Sequence, residues 1–380
     1  MIKALCSTVL LLLYRKYDLF WGYANLSKQF FPKAAGVYAN YALYKSGFIE
    51  IDKAVAYSRS FRFINRSLYI RLASIKSPEL FLSRLPKEEQ GLIKNNWGGI
   101  NDYLKSYELV PFVGDIPWTT KSYCCSRKIE SEDLVSIIMT VRNSVNTIGY
   151  AIRSVLSQTY SNIELIIVDD FSTDGTVDLV EDFALSDTRI RLIKQKKNYG
   201  AYKSRNLALS YARGKYITTH DADDLMHPQR IELMLVELQK DQTRIAAVSY
   251  WVRFTEDGFV SLKRGIPLLR MNLSSFMFKK EVVKDLRWDE HICGADLFFF
   301  SECLHKYGKK AISIIRKPLS ISLFSDNSLT ASSVTGVFSK EGRTLRSKYE
   351  YCWRMRLLKK YHPKIHLIIN YLEHFLEIHT

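Results

Sequence analysis

No Cys-x-x-Cys pair occurs in this sequence, and none of its six cysteines stands at a spacing suited to zinc, which excludes a zinc-finger module and argues against a disulfide framework. The thiols (Cys6, Cys124, Cys125, Cys293, Cys303, Cys352) read as reduced and mostly structural, as in a reducing compartment. Long apolar runs are also absent. The longest, Ile2 to Leu13, falls short of the roughly 20 residues a bilayer-spanning helix needs, and Tyr14, Arg15 and Lys16 follow it at once. With no convincing small-residue cleavage site, it predicts a helix that packs or lies on a membrane surface rather than a signal peptide. A Gly- and Lys-rich phosphate loop is missing, which argues against a nucleotidyltransferase. Acidic charge is scarce: 39 Asp and Glu face 55 Lys and Arg, a net +16, so an anionic partner is the first physical expectation.

What is present is a chain rich enough in hydrophobic residues, at 47%, to bury a large core. At 380 residues it has room for one large α/β domain and a smaller appendage. Residues 1–97 carry helical periodicity with turn signals at Pro32, Ser46-Gly47, Ser77-Pro78 and Pro86. Within them, 38–59 resembles a single helix-turn-helix unit of the tetratricopeptide kind. Residues 98–132, with WGGINDY and VPFVGDIPW, read as a linker or strap. From 133 to 335 short apolar runs (VSIIMTV, IELIIVDD, IRLIKQ, KYITTHD) alternate with helical segments. Continuous apolar strands separated by helices predict a mostly parallel central sheet covered on both faces, with its ligand crevice at the carboxyl ends of the strands. Residues 336–380 are basic and helical, and the stretch from Ser347 reads as an amphipathic helix that either packs on the catalytic domain or settles on anionic lipid.

The polar clusters fall at those strand ends. Asp169 and Asp170 close the second strand, just before Ser172, Thr173, Asp174 and Gly175. Capping explains Ser172 or Asp174, but two adjacent carboxylates after IIV need a donor or cation, and a base or ribose can supply one. Asn198, Gly200, Lys203 and Arg205 open the next helix, where free N–H groups and positive charge suit a phosphate. Asp221, Ala222 and Asp223 form a D-x-D at another strand end. That geometry suits Mn²⁺ or Mg²⁺ held by one or two carboxylates plus substrate phosphate oxygens, the other reading being a solvated acidic turn. The neighbouring His220 and His227 read as bystanders. Asp296 introduces the apolar helix ADLFFF and reads equally as a general base or as a charge favouring the helix dipole.

Taken in order, VSIIMTVRN, IIVDDFSTDGT, NYGAYKSRN, GKYITTHDADDLMHP and GADLFFF make residues 134–329 resemble the family 2 inverting glycosyltransferases of GT-A fold, the bacterial group that builds surface polysaccharides. The resemblance implies an α/β nucleotide-sugar-binding domain, preceded here by an all-helical N-terminal domain. It implies that Asp169, Asp170 and the turn of Thr140, Val141, Arg142 and Asn143 hold the uracil and ribose, with Asn198, Gly200, Lys203 and Arg205 near the nucleotide. Asp221 and Ala222 would complete the donor site, Asp221 and Asp223 would hold the metal, and Asp296 would be the base. The implied partners are a nucleotide-sugar donor of the UDP-sugar kind and a glycan or lipid-linked acceptor. The reduced thiols and the lack of a spanning run point to a cytoplasmic location, and the basic ends to a peripheral one on the cytoplasmic face of the inner membrane. The sequence departs from the family at Ala295, where Glu often stands, and lacks the Q-x-x-R-W motif of processive synthases. The acidic D-x-D mouth has no use in a nucleic-acid reader, whereas a catalytically inactive GT-A scaffold stands as the alternative.

Overall fold

The computed structural model describes residues 85–112, 132–255, 257–261, 268–291, 293–324, 339–363 and 366–367. The apolar opening segment, the tetratricopeptide-like unit and nearly all of the expected helical N-terminal domain lie outside these residues. By compactness the chain divides into two units. One comprises Met1–Gln90, Leu262–Pro267 and Arg343–Thr380, and the other Gly91–Ser261 and Leu268–Gly342.

The second unit is an α/β domain around one eight-stranded sheet of order β3-β2-β1-β4-β7-β6-β8-β5. Its strands are β1 (Val135–Val141), β2 (Ile163–Asp169), β3 (Ile190–Lys194), β4 (Tyr216–Thr219), β5 (Asp224–Met226), β6 (Ala246–Thr255), β7 (Arg270–Lys279) and β8 (Ile312–Phe324). Strands β3, β2, β1 and β4 run parallel, as the continuous apolar runs predict. Beyond β4 the sheet is mixed: β7 is antiparallel to β4 and β6, β6 is parallel to β8, and β5 is antiparallel to β8.

Among the described residues its helices are α1 (Lys87–Asn95) from Gly91 on, α2 (Ile100–Lys105), α3 (Ile148–Leu156), α4 (Thr176–Ser186), α5 (Ala201–Tyr211), α6 (Arg230–Gln239) and α7 (Ala295–Tyr307). The start of the expected strap is thus helical, and Trp97, Ile100, Tyr103 and Leu104 are buried in the main core. Burying such side chains stabilises by about 1.5–3 kcal/mol each, and this outweighs the two glycines that suggested a linker.

Strand alternation decides which helix covers which face. Ile137, Met139, Leu165 and Ile167 share a core with α3, α4 and α6, whereas Ile138, Ile166 and Val168 share one with α5 and α7. Both faces are therefore dry, and only the strand ends remain for chemistry. In the first unit the described part is chiefly α8 (Lys340–Tyr361), whose stripe Tyr349, Trp353 and Leu357 is buried. No helix among the described residues is long and apolar enough to cross a membrane.

One buried polar network pins the strands that carry the site. The Ser136 hydroxyl donates to Glu164 at 2.6 Å, the Arg213 backbone N–H and Nε donate to the same carboxylate at 2.7 and 2.9 Å, and the Gly214 N–H donates to Ser136 Oγ at 2.8 Å. Burial pushes the Glu164 carboxyl up, but these donors together hold it below the usual range. A Cβ on Gly214 would lie 2.5 Å from the Ser136 nitrogen and 2.8 Å from the Leu134 carbonyl oxygen, contacts that only a backbone shift relieves. Gly214→Ala is therefore expected to cost about 1–3 kcal/mol or more and to lower Tm by several degrees. An unchanged thermal melt would contradict this.

Candidate active site

The loops at the carboxyl ends of β1 and β2 are built as one piece. The Asn143 N–H donates to Ser172 Oγ at 2.9 Å, and the Thr173 N–H returns a bond to Asn143 Oδ1 at 2.8 Å. The Ser144 N–H donates to Thr176 Oγ1 at 2.8 Å, and the Val145 N–H to Asp174 at 3.2 Å. Asn143 (φ 49°) and Phe171 (φ 67°) both sit in the left-handed region, a strain that surrounding contacts must hold. Phe171 is 46% exposed, leaving an aromatic face at the rim.

Behind this rim the two adjacent aspartates are buried and divide their work. Asp170 Oδ1 accepts from Gln195 Nε2 at 3.0 Å and from the Tyr199 N–H at 2.7 Å, while Oδ2 accepts from the Gly200 N–H at 2.8 Å. Asp170 thereby fixes the loop that opens α5, where Gly200 adopts φ 90°. A carboxylate has about four acceptor positions, so one remains on Oδ2. Asp169 Oδ2 accepts from the Ser172 N–H at 3.0 Å, but its Oδ1 is buried with no hydrogen-bond partner.

Arg205, one turn into α5, ties the remaining acids together. Its Nη2 donates to Asp221 Oδ1 at 2.9 Å and its Nη1 to Asp296 Oδ1. The Tyr202 hydroxyl donates to Asp296 Oδ2 at 2.9 Å, and the Ser274 hydroxyl on β7 donates to Asp221 Oδ2. Burial alone would push the guanidinium down, but Asp296 and then Asp221 more than reverse this and raise it. The Arg205 side chain is 6% exposed, whereas those of Asp221 and Asp296 are 31% and 24% exposed, so both carboxylates stay within reach of a ligand. Asp296 begins α7 after Gly294, whose φ of 81° makes the entry turn, and its phenyl neighbours Phe298, Phe299 and Phe300 are buried in the helix.

The D-x-D loop brings three carboxylates within electrostatic reach of one another. Burial and then Asp221 push Asp223 up to about 6; burial and then Asp223 and Asp221 raise Asp224 as well. Beneath them Arg230 donates to His220 Nδ1 at 3.2 Å, which makes Nδ1 the acceptor and leaves Nε2–H to donate to the Asp224 carbonyl at 3.1 Å. His220 is neutral, pushed down to about 3 by burial and by Arg230. His227 is also buried and neutral at about 4, with Nε2 donating to the Val110 carbonyl at 3.0 Å. Both histidines serve as supports.

Of the other positions singled out in the sequence, Val141 buries its side chain and uses its carbonyl to accept from the Asp170 N–H at 2.8 Å. Thr140 is half-buried, Arg142 is exposed, and Ala222 lies in the core. Asn198 Oδ1 accepts from the Gly200 N–H at 3.0 Å, and Lys203 faces Glu290 at 3.9 Å and the Tyr199 ring at 4.8 Å. Sequence reasoning missed Gln195, Tyr202, Ser274 and Arg230. Tyr202 stands inside NYGAYKSRN and could have been found there, whereas Ser274 reaches Asp221 only through the pairing of β7 with β4.

The chain matches the Glycosyl transferase family 2 model over residues 136–307. It is 25% identical over 246 residues to Glycosyltransferase GlyG of Streptococcus pneumoniae serotype 4, covering 55% of this chain and 79% of that protein. It is 30% identical over 198 residues to an uncharacterized glycosyltransferase of Haemophilus influenzae, covering 48% of this chain and 79% of that one. Over 108 residues it is 43% identical to the Escherichia coli UDP-Glc:alpha-D-GlcNAc-diphosphoundecaprenol beta-1,3-glucosyltransferase WfgD, covering 28% of this chain and 42% of that enzyme.

Proposed function

Given that the chain belongs to glycosyltransferase family 2, has the α/β sheet of the GT-A fold and is a glycosyltransferase, we propose that it transfers a sugar from a UDP-sugar to a hydroxyl of a glycan or lipid-linked acceptor, with inversion, during cell-surface polysaccharide assembly. The observation that carries this reading is the bridge Asp221–Arg205–Asp296. One guanidinium holds a carboxylate suited to the donor and one suited to the acceptor at its two ends, as in-line transfer requires. The name of WfgD, with its UDP-Glc donor and diphosphoundecaprenol-linked acceptor, supports the substrate class.

In this reading the uracil and ribose lie against the joined β1 and β2 loops, where the unmet Asp169 Oδ1 and the open position on Asp170 Oδ2 accept their N–H or O–H groups. Leaving a buried acceptor unpaired costs about 1–3 kcal/mol, so the ligand relieves a cost that the fold alone carries. The D-x-D loop fits a divalent cation by its chemistry. It supplies hard carboxylate oxygens, and Asp223 is raised by burial and by Asp221 in a way that added positive charge would reverse. Among the described residues no group of three or more His, Cys, Asp or Glu side chains is placed to hold a metal ion, and Mn²⁺ or Mg²⁺ bound through one or two carboxylates and substrate phosphates needs no such group. Asp221 and Asp223 would hold that ion, which would supply positive charge to offset the departing diphosphate. Asp296 takes the proton of the acceptor hydroxyl as its oxygen bonds to the anomeric carbon, and the bond to the diphosphate oxygen breaks with its electron pair leaving on UDP. Attack from the opposite face inverts the centre. The reaction would take place on the cytoplasmic side of the membrane, where the protein sits peripherally.

A screen of UDP-sugars with manganese and an isoprenyl-diphosphate-linked sugar tests this. UDP release with an inverted product anomer is expected. A retained anomer would overturn the inversion, and silence with every UDP-sugar would overturn the donor class.

A further inference from the structure

Beside the acid cluster, β6 and β7 present a second group of polar side chains that the transfer reaction described above does not use. Trp251 and Arg253 are two apart on β6 and so share a face, and Arg270 stands directly opposite Trp251 across the β6–β7 pairing, which puts it on that face too. The intervening Val252 and Phe254 point the other way, into the main core. The Arg253 guanidinium lies 4.1 Å from the Trp251 ring centroid and that of Arg270 5.8 Å from it, so the indole has a cation against it from each strand.

Neither arginine has an ion-pair partner among the described residues. Arg253 is 8% exposed, and its Nε, the Arg270 Nε and the Trp251 Nε1 are all buried with no hydrogen-bond acceptor. Two cations buried side by side repel each other, and burial together with Arg253 pushes Arg270 down to about 10. The plain reading is that Arg253 merely balances the acids, and register does place it in one row with Ser322 and Asp224. The Arg253 charge does act on Asp223 and Asp224, lowering both carboxyls against the burial that raises them, but it leaves its own Nε, Arg270 and the indole N–H without acceptors.

We propose that Trp251, Arg253 and Arg270 form a phosphoryl-binding site next to the D-x-D loop. Guanidinium forks match phosphate oxygens in pairs, and the indole N–H adds a third donor. The phosphoryl group belongs either to the diphosphate of the donor or to a phosphate-linked acceptor, an identification that rests on the proposed function, whereas the anion site itself rests on the unpaired donors.

The test is calorimetric titration of the full chain with UDP, with inorganic pyrophosphate and with geranyl diphosphate, comparing wild type with Arg253→Gln, Arg270→Gln and Arg270→Lys. Pyrophosphate binding is expected to weaken about tenfold or more in each folded Gln variant, the scale of one charge-assisted hydrogen bond, and to be only partly retained by Lys, which keeps the charge without the fork. Parallel weakening of UDP assigns the site to the donor; weakening of geranyl diphosphate with UDP unchanged assigns it to the acceptor. Wild-type affinities for all three probes in folded variants, or no pyrophosphate binding by wild type, would overturn the site. Should Arg253→Gln fail to fold, the half-buried Arg270 carries the test alone. Wild type that binds pyrophosphate but not UDP would leave the site standing and remove the proposed donor.

Discussion

Asp296→Asn should lower kcat by about 10²–10⁴-fold, the usual contribution of a positioned general base, while the Kd for UDP changes by no more than about twofold. The substitution removes the basic oxygen yet keeps an acceptor for Arg205 or Tyr202, both of which now donate to this carboxylate. Asp221 continues to pair with Arg205 on its other side. Asp296→Ala is expected to behave differently, because it leaves a buried guanidinium with half its partners, and breaking a buried pair in this way costs about 3–5 kcal/mol. The alanine variant should therefore lose stability and donor affinity along with turnover. Kinetics and UDP titration on the two variants separate the roles: equal loss of UDP affinity in both would make Asp296 a structural partner of Arg205 and not the base.

Asp223→Asn should abolish manganese-dependent UDP binding and, in chelator, raise Tm by a few degrees. Burial and the Asp221 charge lift the Asp223 carboxyl from its ordinary 3.8 to about 6. Between those values the folded protein holds a proton that the unfolded chain has released. The metal-free fold therefore gains stability as pH falls through about 6, and at pH 7 the ionised group is a net cost. Roughly two pH units correspond to about 3 kcal/mol at most, which solvent screening of a half-buried group reduces to about 1–2 kcal/mol. Asparagine removes that cost and, with it, the site that a cation would fill, the exchange of stability for function common at such sites. Because a ligating carboxylate must be deprotonated, metal-dependent UDP binding by wild type should also fall away below about pH 6. A variant no more stable than wild type in chelator, with manganese dependence intact, would contradict both halves.

The parallel half of the fold is legible in the sequence because each strand there is an uninterrupted apolar run ending in a polar cluster. VSIIMTV and IELIIVDD announce both their burial and the ends at which chemistry can sit. The mixed half is not. Strand β5 is three residues long, too short for any periodicity, and Trp251, Arg253 and Arg270 come together only through register across β6 and β7. The same limit explains Arg205. Its place at the start of a helix suggests a phosphate ligand, whereas its contact with Asp296 joins residues 91 apart in sequence, a distance that no local pattern encodes. The helix at the start of residues 98–132 is not legible because Gly98 and Gly99 weigh against a helix locally, while Trp97, Ile100 and Leu104 gain more by burial.

Titration of the wild-type chain with UDP, once with manganese and once with chelator, probes most directly whether these acidic strand ends form one nucleotide-sugar site. Saturable binding that weakens sharply when manganese is removed is the expected result. No binding of UDP in either condition would contradict a shared donor site, however well the fold matches its family.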